Sequence, residues 1–233
     1  MLTESSLYTG KGKMHEGPGL SSPVFIFSGC FCAAQGLRSL LTASGQRIIH
    51  VRTDGGGAFE PRGFLQHVTP GSRVVMYLPG EPQNMLATLQ AFSLFIRLSR
   101  HSLPTLILSS CRPDWLYRTL GYQMGDLKTM SVLRALPVST SLPDLSLLLR
   151  TEGTPLLLVR QAREMERRSV SRVPGMTKRE LETVLWLLRG ESIAEISRHT
   201  GTSTKTLYSQ RHSGLKKLQV ACPALNIRHR HTW

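Results

Sequence analysis

At 233 residues the chain is long enough for one large domain or for two modest ones with separate cores. Its 40% hydrophobic and 19% charged content excludes pervasive disorder, and no window holds the roughly 20 uninterrupted apolar residues of a membrane span, since Gln90 and Arg97 break the best one. Against 15 acidic residues stand 29 Lys and Arg, a net charge of +14 that favours a polyanionic partner.

In chain order, residues 1–22 are rich in Gly, Ser and charge, without periodic apolar residues or the layout of a secretory signal, so a flexible leader and a cytoplasmic protein are expected. An apolar run at 24–27, a helical pattern over 33–42 and a second run at 47–51 follow, before Gly55, Gly56 and Gly57 break the pattern. A helix is expected near 61–68, a strand over 73–78 closed by Pro79 and Gly80, and the longest helix over 84–101. Further runs at 105–109 and 129–136 read as strands, and 113–124 and 144–150 as helices. Strands interleaved with helices predict a doubly wound α/β domain over 23–150 with a mostly parallel sheet.

Residues 151–175 have the composition of a basic linker, in which 161–168 would form a solvated helix with almost no apolar face. The segment 176–233 carries ten basic and four acidic residues, +6 in the last quarter of the chain. Cys30, Cys32, Cys111 and Cys222 fit no zinc or disulfide-framework spacing, so free thiols and no metal are expected.

Thr177 and Glu180 have the spacing of a capping box, with Leu181, Val184, Leu185 and Leu188 on one helical face and Gly190 as the stop. Ser192 and Glu195 repeat the box, Ile193 and Ile196 point inward, and Gly201 makes a turn. Ser203 caps a third helix. Its Leu207, Leu215 and Leu218 form an inward stripe, leaving Lys205, Tyr208, Ser209, His212 and Lys216 on the other side. A second helix presenting cations, hydroxyls and an imidazole is what major-groove reading needs.

The blocks Met176-Thr177-Lys178-Arg179-Glu180, Gly190 to Ile196, Ser203 to Leu207 and Lys217 to Val220 resemble the LuxR/FixJ/NarL DNA-binding domain over 176–220. Lys205 to Arg211 is most similar to the Rcs-type regulators. The resemblance implies an all-α helix-turn-helix domain on double-stranded DNA, with Tyr208, Ser209 and His212 facing bases and Thr204, Lys205, Arg211 and Lys216 facing phosphates. Two departures stand out. Gly214 replaces a larger apolar residue, and the basic tail 221–233, opening Ala221-Cys222-Pro223, replaces a pairing helix.

The order of an α/β domain and this DNA-binding domain is similar to a response regulator. A working receiver places paired acids after its first strand, an aspartate at the end of the third and a lysine after the fifth. Those places hold Ser28-Gly29-Cys30, Leu78 and Leu136-Pro137, so a pseudo-receiver independent of phosphorylation is expected, acting through a homo- or heterodimer with a regulator of the same family. No cofactor is implied. An enzyme built on Gly55 to Gly57 and Asp54 is disfavoured, because neither phosphate-loop spacing is present. An interaction protein that sequesters another regulator without touching DNA is the alternative.

Overall fold

The computed structural model describes residues 22–43, 45–53, 59–150, 157–169 and 172–222. The leader, Asp54 to Gly57 and the basic tail beyond Cys222 lie outside them, with the expectations attached to them. Five parallel strands, β1 (Val24–Ser28), β2 (Ile48–Arg52), β3 (Arg73–Tyr77), β4 (Thr105–Ser109) and β5 (Leu133–Pro137), form one sheet in the order β2-β1-β3-β4-β5. The order of strands turns back at β1, as in a doubly wound sheet.

Strand alternation builds a core on each face. On β1, Val24 and Ile26 face a cluster with Ala34, Leu37 and Leu41 of α1 (Phe31–Thr42) and Leu145 and Leu149 of α6 (Leu142–Arg150). Phe25 and Phe27 face the other way, onto Phe92 and Phe95 of α3 (Pro82–Ser99) and, within the same core, Trp115 and Leu116 of α4 (Pro113–Met124). Strands covered on both faces read as continuous apolar runs, and these runs made the strands legible.

Some boundaries differ from expectation. The helix near 61–68 shrinks to α2 (Arg62–Leu65), where Pro61 starts a single turn. The expected strand over 129–136 starts at Leu133, because Asp126 caps α5 (Leu127–Ser131) by accepting from the Lys128 and Thr129 amides. The basic stretch contains α7 (Leu158–Arg168), and it is not simply solvated. Leu158 and Ala162 are buried, and the helix lies against α4. Its apolar stripe starts at Leu158, three residues before the expected helix, while Leu157 bridges Arg134 on the outer edge of β5.

The last three helices, α8 (Lys178–Leu188), α9 (Ile193–Thr200) and α10 (Thr204–Ala221), join this core. Met176, Leu181, Val184, Leu185 and Leu218 belong to the same buried cluster as α3 and α4. The Met176 amide donates to Thr119 Oγ1 at 3.0 Å, and Gly175 sits so close to α4 that a Cβ there would stand 2.5 Å from the Thr119 nitrogen. Cys111 and Cys222 are joined as a disulfide, against the expectation of free thiols. Packing brings them together although they lie 111 positions apart in the chain, and a separation that long leaves no signature in local spacing.

Candidate nucleic-acid interface

Local chemistry fixes the three C-terminal helices. Thr177 Oγ1 accepts from the Glu180 amide at 3.3 Å while Glu180 Oε2 accepts from the Thr177 amide at 2.8 Å. Ser192 and Glu195 repeat the exchange at 3.2 and 2.7 Å. Gly201, at φ 67°, ends α9 in the left-handed region that glycine enters without penalty, and Ser203 Oγ accepts from the Thr206 amide to open α10.

Leu207 and Leu218 are buried and Leu215 half-buried, as the expected stripe requires. Thr204, Lys205, Tyr208, Ser209, His212 and Lys216 are exposed, and Arg211 is half-buried. Tyr208, at 55% exposed, presents its ring to solvent on the same side. The 18 residues of α10 include no carboxylate, so nothing on this helix neutralises Lys205, Arg211 or Lys216.

Lys217, the neighbour of Lys216, has a different role. Its ammonium reaches both oxygens of Glu180 at 2.7 and 2.8 Å, and Ser213 Oγ donates to Glu180 Oε1 at 2.6 Å. Burial pushes the Glu180 carboxyl up, but the hydrogen bonds from Lys217, Ser213 and the Thr177 amide together hold it below its ordinary value. This ion pair ties α8 to α10. Gln210 is held in the same way, accepting from Thr183 Oγ1 at 2.7 Å.

Gly214 also belongs to this contact. A Cβ there would meet Val184 Cγ2 at 2.7 Å and Met176 Cε at 3.3 Å, so the glycine lets α10 approach α8 closely. The apolar bulk expected at that position is supplied by Val184 and Met176 from across the interface.

A cleft of about 460 Å³ runs between the start of α8 and the middle of α10, lined by Thr177, Lys178, Arg179, Ser209, Gln210 and Ser213 among others. Lys178 and Arg179 were not among the expected contacts. Both are exposed and sit in the first turn of α8, where the helix dipole disfavours cations. Basic residues at that end were the signal that could have found them.

At the C-terminal edge of the sheet, β1 ends in Ser28, whose hydroxyl accepts from the Cys30 amide. Leu78, buried, follows β3, and Pro137 ends β5. Among the described residues no group of three His, Cys, Asp or Glu side chains could hold a metal ion, and no helix is long and apolar enough to cross a membrane.

No family model matches the chain, and no curated protein matches it. Among solved structures, RcsB from Salmonella enterica serovar Typhimurium bound to promoter rprA in the presence of the phosphomimetic BeF3- superposes with a TM-score of 0.50 at 17% identity, covering 88% of this chain and 98% of that one. The chain has the fold of an RcsB-like response regulator. The same protein bound to promoter P1flhDC gives 0.47 at 15% identity, with 85% and 92% covered. Full-length FixJ from B. japonicum gives 0.34 at 18%, with 86% and 91% covered. At these identities the likeness is one of fold.

Proposed function

We propose that the chain is a sequence-specific, double-stranded DNA-binding transcription regulator and not an enzyme, with α9 and α10 as its helix-turn-helix. The observation that carries this reading is the outer face of α10, where Lys205, Tyr208, Ser209, His212 and Lys216 stand exposed on a helix without carboxylates. Tyr208, Ser209 and His212 face bases. Thr204, Lys205, Arg211 and Lys216 face phosphates, joined by Lys178 and Arg179 across the cleft. The fold neighbour RcsB is a promoter-bound protein, which accords with this reading.

The α/β domain serves as a pseudo-receiver, since Leu78 and Pro137 stand where phosphoryl chemistry needs an acid and a lysine. It acts by pairing with a second subunit in the cytoplasm, and Phe31 on α1 and Leu142 and Leu147 on α6, each more than half exposed on neighbouring helices, suit such a contact. Measuring duplex affinity against salt tests the DNA assignment. Lys205→Ala should weaken specific and random duplexes by a similar factor and reduce the salt slope of log K by about one. Wild-type protein that binds no duplex at low salt would leave the sequestering protein as the better reading.

A further inference from the structure

We propose that Cys111 and Cys222 form a thiol-controlled latch holding α8–α10 against the sheet domain, and that small thiols open it by attack at Cys111. The disulfide joins the β4–α4 loop to the C-terminal cap of α10, with the two Cα atoms 4.8 Å apart. Next to it the Arg112 amide donates to the Ala221 carbonyl at 3.0 Å, and Arg112 Nη2 donates to Ser169 Oγ at 3.3 Å. The loop after β4, the end of α7 and the end of α10 therefore meet at one point, and the sulfur pair is its covalent part.

Both cysteines are buried, Cys222 at 2% and Cys111 at 7% exposed, but it is Cys111 that lines a cavity of about 360 Å³ at the ends of β4 and β5, together with Ser109, Ser110, Pro113, Pro137 and Ser139. That volume falls within the range of small-ligand sites, and serine hydroxyls at its rim suit the polar groups of a low-molecular-weight thiol. Its thiolate attacks Cys111 Sγ and the S–S bond breaks. A mixed disulfide forms on Cys111, and Cys222 leaves as a thiolate that takes up a proton. A second thiol then attacks the small-molecule sulfur of that mixed disulfide. Cys111 is released as a thiol with one small-molecule disulfide, and two electrons have entered the protein.

Opening the latch leaves the docked unit held by noncovalent contacts: the bond from the Met176 amide to Thr119 Oγ1 at 3.0 Å, the bond from Gln123 Nε2 to the Met176 carbonyl at 3.3 Å, and the apolar patch of Met176, Leu181, Val184 and Leu218. Undocking becomes more frequent. The proposal concerns docking, so it stands or falls apart from DNA binding.

The test uses the full chain, oxidised or treated with reduced glutathione, under trypsin. Arg172 is exposed, but Val173 is buried and its carbonyl accepts from Arg118, so cleavage after Arg172 reports undocking. Cleavage should accelerate about tenfold or more on reduction and slow again on reoxidation, as local opening governs proteolysis. A chain carrying Cys30→Ser and Cys32→Ser should respond like wild type, and peptide masses early in the reaction should place glutathione on Cys111. Equal cleavage in both states, loss of the response in the Cys30→Ser, Cys32→Ser chain, or glutathione arriving first on Cys222 would each overturn the proposal.

Discussion

Single residues in the C-terminal helices are constrained more tightly than their types suggest. Glycine inside a helix costs about 1 kcal/mol relative to alanine, so Gly214→Ala would be expected to stabilise an isolated α10. In the folded chain the added methyl would stand 2.7 Å from Val184 Cγ2, a buried branched side chain with little room to retreat. Overpacking typically costs about 1–3 kcal/mol and outweighs the gain. Gly214→Ala should therefore lower the urea midpoint, and a raised midpoint would show that the contact relaxes without cost. Glu180 gives a second expectation. Its carboxyl is held below its ordinary value, so its stabilising contribution is complete above the usual carboxylate range and is lost as pH falls through the depressed value. In Lys217→Met the opposing burial is no longer outweighed to the same extent, and melting temperatures taken from about pH 6 down to about pH 3 should show this acid loss flattened or reversed. A slope unchanged from wild type would remove Lys217 from the explanation.

At the scale of elements, α10 has two faces with separate duties. Leu207, Gly214 and Leu218 pack inward, while Tyr208, Ser209 and His212 are exposed and touch nothing whose loss would unfold the helix. Tyr208→Ala and His212→Ala should leave the melting temperature close to wild type and reduce discrimination between specific and random duplexes, by roughly 1–3 kcal/mol for each good base contact. Competition binding against random DNA measures this. Equal losses on both duplexes would make these side chains general contacts and not base readers. The helix α7 shows how neighbouring elements alter a local reading: its charged residues predicted solvation, and its burial came from two apolar positions, Leu158 and Ala162, on a helix packed against α4.

At the scale of the whole molecule, the three C-terminal helices share one buried core with α3 and α4, so the two parts of the chain should respond to denaturant together. Incubation with acetyl phosphate and magnesium should leave mass and duplex affinity unchanged, because Leu78 and Pro137 offer neither a phosphoacceptor nor a cation. A mass increase of one phosphoryl group on this chain would overturn phosphorylation independence. Sedimentation with footprinting bears on the pairing partner. A stable homodimer protecting a symmetric palindrome at nanomolar concentration would rule out the heterodimer and leave DNA binding intact.

What the sequence determined by itself was everything encoded within a few residues. Both capping boxes, the glycine at 201, the inward stripe of α10 and the buried apolar strands depend on hydrogen bonds and periodicities that span one or two turns. The identity and outward direction of Lys205, Tyr208 and His212 follow from the same periodicity. Tertiary structure decided what depends on residues far apart in the chain. Lys217 and Glu180 are 37 positions apart, so only folding could show that Lys217 is paired while Lys216 is exposed. Gly214 looked like a defect until α8 was seen to lie against it, and the basic stretch looked solvated until α4 covered one side of α7. Cys111 and Cys222 looked like unrelated free thiols. Their pairing needed the whole sheet domain to be built and α10 to be docked on it, because sequence spacing carries no information about two cysteines that only a completed core brings together.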